Sequence, residues 1–223
     1  MLVRFAGAAA LAGLIALGVA GTGAAGDSIG LRSAMAPANL PSESMTMAPV
    51  RNTEGARAKA PLGWLSFCER YPQECRRELL EHETIVFDGA VRDLVLSVNA
   101  AVNAAITPAT DMLQWGVEER WDYAESGVGD CEDYVLLKQR WLVSAGLPRS
   151  ALLVTVVTEL GGAGHAVLTV HTDRGDYILD NMTDEVKLWR ETPYGFVKRQ
   201  SRLASDEWVS LNGGGSAPAV VSR

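Results

Sequence analysis

The run Gly129-Asp130-Cys131-Glu132-Asp133-Tyr134, with the apolar Val135-Leu136-Leu137 behind it, decides how this chain is read. Tyr134, Leu137, Trp141 and Ala145 recur at helical spacing, and Val135 and Leu142 widen the stripe. Asp130 stands where a helix cap belongs, and Gly146 with Pro148 is a stop signal. The spacing therefore predicts a helix with Cys131 in its first turn. There the positive end of the helix dipole and the unpaired N–H groups favour thiolate over thiol. A buried, inert core cysteine is the other reading.

After that helix the apolar period changes from 3.6 to 2. Residues 152–158 are β-branched and predict a strand, as do 165–171, 176–180 and the alternating 194–201, with a short edge piece at 208–211. Asp173-Arg174-Gly175 is a turn signal joining the second and third strands as an antiparallel hairpin. A turn centred between residues 173 and 174 sets Asp180 opposite Val167. His165 shares that face, so His165 and Asp180 become diagonal neighbours, roughly 7–8 Å apart at the backbone.

A thiolate nucleophile needs a base to take its proton and return it to the leaving group. The base needs a third group to fix its tautomer. Cys131, His165 and Asp180 supply these parts, and the Cys131 N–H could help hold an oxyanion. His171 is a competing base by the turn, away from Asp180, and His82 sits in a charged stretch without a nameable partner. The acidic flank of the thiol, Asp130, Glu132 and Asp133, opposes thiolate formation unless a cation neutralises it. Closely spaced carboxylates suit calcium. In the alternative reading Asp130 merely caps the helix, and the other two favour its first turn.

Upstream, Asp88 can cap a helix through Val91, Leu94, Val95, Val98, Val102 and Ala105, ended by Thr107-Pro108. Residues 111–123 are expected to be irregular, with their tryptophans filling core. Ordered structure is expected to begin at Trp64, Leu65 and Phe67. The sum is an α+β domain: a helical N-terminal half carrying the nucleophile at a helix N-terminus, packed on an antiparallel sheet.

The flanks are of a different kind. Arg4 followed by an uncharged small-residue run and Gly21-Thr22-Gly23-Ala24-Ala25-Gly26 reads as a secretory signal peptide over 1–26, or as an anchor if retained. Residues 27–60 read as a flexible tether, 61–211 as the domain and 212–223 as a disordered tail. The 223 residues carry a net charge of -7, which argues against a general nucleic-acid binder. Of three cysteines, Cys68 and Cys75 could close a small disulfide loop or stay free; Cys131 is the odd one either way.

With these residues laid out, the chain resembles the bacterial transglutaminase-like cysteine proteinases. The matching text is Trp115-Gly116, Trp121, Gly129 to Tyr134, Lys138, Gly146-Leu147-Pro148, Gly164-His165-Ala166-Val167-Leu168 and Tyr177-Ile178-Leu179-Asp180-Asn181. It covers about residues 62–211. The resemblance implies a papain-like, transglutaminase-like fold with Cys131 as nucleophile, His165 as general acid and base, and Asp180 orienting it. It implies calcium held beside the nucleophile by Asp130 and Glu132, with Asp133 as a further ligand. It also implies a periplasmic protease of a large surface adhesin, restrained by an inner-membrane cyclic di-GMP receptor. The expected function is an exported cysteine endopeptidase. A transglutaminase-type acyl transferase and a non-catalytic calcium-dependent periplasmic binding protein are the alternatives.

Overall fold

The computed structural model describes residues 51–76, 79 and 81–211. The expected signal peptide and C-terminal tail, and the tether up to residue 50, lie outside these residues. Among the described residues no helix is long and apolar enough to cross a membrane.

Among the described residues, four α-helices precede or underlie a seven-stranded sheet: α1 (Leu62–Arg70), α2 (Gly89–Ala105), α3 (Asp111–Trp115) and α4 (Cys131–Ser144). The sheet strands are β1 (Glu54–Ala58), β4 (Leu152–Thr158), β5 (Gly164–Thr172), β6 (Gly175–Leu179), β7 (Lys187–Leu188), β8 (Gly195–Gln200) and β9 (Trp208–Leu211). Their order is β1-β9-β8-β4-β5-β6-β7, every pair antiparallel. A separate parallel pair joins β2 (Thr107–Pro108) to β3 (Val128–Gly129) and delivers the chain to Cys131. Gly129 is required in that pair, because a Cβ there would collide with the Asp133 side chain.

Helices α2 and α4 form where the sequence sets them. Asp88 Oδ1 accepts the Val91 N–H at 2.9 Å and starts α2, whose Val95, Val98 and Val102 are buried. Helix α4 lies against α2 on one side and β4 and β5 on the other. It is therefore buried on all sides from Cys131 to Gln139. The expected stripe holds for Tyr134, Leu137 and the flanking Leu142, but Trp141 and Ala145 are exposed. Alternation in the strands serves two faces. Val154, Val156, Ala166, Leu168 and Val170 join the helices' core, while Val157, Val167, Ile178 and Phe196 build a smaller apolar cluster.

Two sequence expectations change, and one open alternative is decided. Residues 54–58, assigned to the tether, form β1 outside β9, so 208–211 is not the sheet edge. Polar anchors hold this exposed strand where apolar patterning gave no signal. Arg199 bonds to Glu54 at 2.7 Å and to the buried Asp176 at 2.9 Å, and Asp176 also takes the Asn52 N–H at 3.1 Å. Within 111–123, expected irregular, the Thr110 side chain caps the short helix α3; Trp121 fills core as expected. Cys68 and Cys75 are joined as a disulfide, and Cys131 is free.

Candidate active site

Three elements converge at the start of α4. The β5–β6 hairpin pairs Leu168 with Leu179, the register that sets Asp180 opposite Val167. The result is a direct contact: His165 Nε2 and Asp180 Oδ1 are 2.9 Å apart. The other oxygen of Asp180 accepts the Tyr194 hydroxyl at 2.5 Å, and Oδ1 also takes the Met182 N–H at 3.0 Å. Burial pushes the Asp180 carboxyl up, but the His165 ring, the Tyr194 hydroxyl and the Met182 N–H together hold it below the usual carboxylate range. Asp180 therefore stays ionised at neutral pH and fixes a proton on Nε2, leaving Nδ1 as the basic nitrogen. Nδ1 is buried with no hydrogen-bond partner. The Tyr194 ring packs tilted over His165, centroids 5.4 Å apart. Tyr194 was not singled out by sequence reasoning; its partner is fourteen residues away and no motif marks it.

Cys131 opens α4 and is fully buried. The backbone N–H of Ala166, the residue after His165, favours the thiolate of Cys131, which sets thiol and imidazole at the same end of β5. The S–H donates to Glu132 Oε2 at 3.2 Å. Burial pushes the thiol well above its usual range, and the charges of Glu132 and Asp130 push it further; only the Ala166 N–H pulls it down. The expected thiolate is therefore opposed by the protein's own groups, by burial first and by the Glu132 and Asp130 charges second.

The acidic flank is divided in an unforeseen way. Asp130 occupies the cap position, but its side chain makes no cap bond; Oδ2 turns back to accept the Asp111 N–H at 3.1 Å. Asp111, Asp130 and Glu132 are buried, and one carboxylate oxygen of each lies within 4.8 Å of the others. Each also keeps a buried oxygen with no partner: Asp111 Oδ1, Asp130 Oδ1 and Glu132 Oε1. Burial raises all three carboxyls, Asp130 to about 7; the Asp111 charge adds to the rise at Asp130, and the Asp130 charge to that at Glu132. Three orphaned, hard oxygen donors of one sign in a closed space fit a hard divalent cation.

Asp133, expected as a further ligand, does not join this group. Its carboxylate accepts the Asp122 N–H at 2.6 Å and lies against Gly129, bracing the loop that leads into the helix. Asp111, nineteen residues before Asp130, takes the third position. His171 pairs with Asp176 at 2.7 Å, in the network that anchors β1, and not with the Cys131 end of the strand.

The family described as bacterial transglutaminase-like cysteine proteinase (BTLCP) matches residues 54–216. No curated protein sequence matches the chain. Among solved structures, EGTA-treated LapG of Legionella pneumophila is similar at 24% identity and a TM-score of 0.43, over 49% of this chain and 62% of that one. Calcium-bound LapG of the same organism is similar at 21% identity and a TM-score of 0.46, over 59% of this chain and 75% of that one.

Proposed function

Because the chain belongs to the bacterial transglutaminase-like cysteine proteinase family, we propose that it is an exported, periplasmic cysteine endopeptidase in which Cys131, His165 and Asp180 cleave a protein substrate with calcium dependence. The observation that carries this reading is the His165 Nε2–Asp180 Oδ1 bond, with Nδ1 left unpartnered on the strand whose Ala166 N–H favours the Cys131 thiolate.

The chemistry follows from those positions. His165 Nδ1 takes the Cys131 proton, and the sulfur attacks the carbonyl carbon of the scissile bond. The Cys131 N–H at the head of α4 faces the developing oxyanion. His165 then passes its proton to the leaving amine, which breaks the C–N bond and leaves an acyl-enzyme. Water, deprotonated by the same nitrogen, releases the acid and restores the thiol. Asp180 holds Nε2–H throughout and steadies the imidazolium.

Asp111, Asp130 and Glu132 are the residues that would hold calcium. Bound there, the ion supplies positive charge beside the thiol. Glu132 is the link between the two sites: one oxygen takes the thiol proton's hydrogen bond while the other is orphaned in the cluster. A Glu132 carboxylate engaged in the cluster no longer competes with His165 for that proton. The resemblance extends the proposal to a large surface adhesin as substrate and to an inner-membrane cyclic di-GMP receptor as restraint.

The test is incubation of the protein with a candidate adhesin fragment, with calcium and with chelator. Cleavage products that appear only with calcium and vanish in Cys131→Ala support the endopeptidase. Crosslinked products mark an acyl transferase, and unchanged substrate marks a binding protein.

A further inference from the structure

Cys131 and His165 are both sealed from solvent, yet open space lies beyond Tyr194, whose ring packs on His165, and Met182, whose N–H bonds Asp180. A cleft of about 220 Å³ is lined by Glu159, Leu160, Gly161, Met182, Pro193 and Tyr194. A second cleft, about 430 Å³, runs between α2 and residues 181–184, and Met182 lines both. Both are tied to the catalytic carboxylate. Met182 donates its N–H to Asp180 Oδ1, and Tyr194 its hydroxyl to Oδ2. Asn103 Nδ2, at the edge of the second cleft, donates to the Asp180 carbonyl at 3.0 Å.

The first cleft has an apolar rim that nothing in the fold requires. Leu160 is 88% exposed at the tip of the β4–β5 hairpin, and Met182 is 56% exposed. The tip is a tight turn, Glu159 N–H to the Ala163 carbonyl at 2.9 Å, with Gly162 at a φ of 83°. That fixes Leu160 in the open, where water gains nothing from it. Pro193 and the Tyr194 ring form the facing wall. The volume is on the scale of one or two aliphatic side chains, and Glu159 is joined by no second charged lining residue of the convergent set a small polar ligand would need.

We propose that this cleft is a substrate side-chain subsite: it takes an aliphatic residue of an extended polypeptide close to the scissile bond, with the chain continuing over Met182 into the second cleft. The proposal rests on the endopeptidase reading, since a polypeptide crossing His165 is the occupant that adjacency selects. Leu160, Met182 and Tyr194 then determine specificity. Tyr194 also couples occupancy to catalysis, because one residue forms the wall of the subsite and holds Asp180.

Alkylation of Cys131 by iodoacetamide in the calcium-loaded full chain reads this directly. Competitors are alanine-rich octapeptides in which a single leucine, or a single aspartate, is walked through every position. Each protein's protection is scaled to its own alkylation rate without peptide. At one or two leucine positions the peptide should protect better than its aspartate counterpart, on the order of tenfold in effective concentration. Leu160→Asp should abolish that preference, and Leu160→Met should retain it. Equal protection by both series, no protection by either, or a preference unchanged in Leu160→Asp overturns the subsite while leaving the nucleophile standing. A Cys131 that iodoacetamide never modifies overturns the endopeptidase reading, and the subsite with it.

Discussion

Replacing Asp130 by Asn should make the protein more stable and less able to use calcium. Asp130 is buried beside Asp111 and Glu132, and its pKa is raised from 3.8 to about 7, by burial first and the Asp111 charge second. A folded-state pKa above the unfolded one means the native state holds a proton the unfolded chain has lost. Stability therefore falls as pH rises between those two values. A rise of that size corresponds to an upper bound on the order of 4 kcal/mol. In Asp130→Asn the amide oxygen can still accept the Asp111 N–H, and the charge is gone. The assay is thermal unfolding with chelator at about pH 5 and about pH 8, repeated with calcium. With chelator the variant should exceed the wild type at the higher pH by several degrees, at roughly 2–4 °C per kcal/mol for a domain of this size. With calcium the order should reverse, because only the wild type gains binding energy. A variant less stable than the wild type in chelator at the higher pH would refute the view that these carboxylates repel one another.

Other outcomes follow from single contacts. Lys138 is buried with no partner on Nζ, and burial lowers its pKa from 10.5 to about 7. Its charge costs most below about pH 7 and the cost fades as pH rises toward the unfolded value. Lys138→Met should thus raise urea-unfolding stability at neutral pH and lose that advantage near pH 10. Tyr194→Phe removes one of the bonds that hold Asp180; kcat should drop about tenfold, as expected for a hydrogen bond to a charged group, with the unfolding midpoint little changed. Reducing the Cys68–Cys75 bridge should cost about 2 kcal/mol in urea unfolding, the entropy of so short a loop.

How much of this was legible depended on the distance over which each signal acts. The hairpin was, because Asp173-Arg174-Gly175 fixes its turn and period-two alternation carries the register to Asp180. Helices α2 and α4 were, because their apolar faces and caps are local. Strand β1 was not. Its residues are mostly exposed, and it is held by pairing with β9, by the Glu54–Arg199 ion pair and by the Asn52 N–H to Asp176 just before it, partners more than a hundred residues away. The acidic cluster was half legible. Adjacency marked Asp130 and Glu132, but consecutive helical residues point in different directions, so Asp133 turns to the Asp122 loop. The third carboxylate, Asp111, reaches the cluster by way of the β2–β3 pairing that aligns the two segments. The state of the thiol was half legible for a related reason: the opposing charge of Asp130 and Glu132 is visible in a sequence, whereas full burial is not.

The central claim is that Cys131 becomes a nucleophile only when the charge of Asp111, Asp130 and Glu132 is balanced. The ultraviolet absorbance of the Cys131 thiolate, taken as the difference between wild type and Cys131→Ala across a pH titration, measures this directly. With calcium the thiolate should form at markedly lower pH than with chelator, and His165→Ala should abolish that low-pH form. Superimposable titrations with calcium and with chelator would contradict the account.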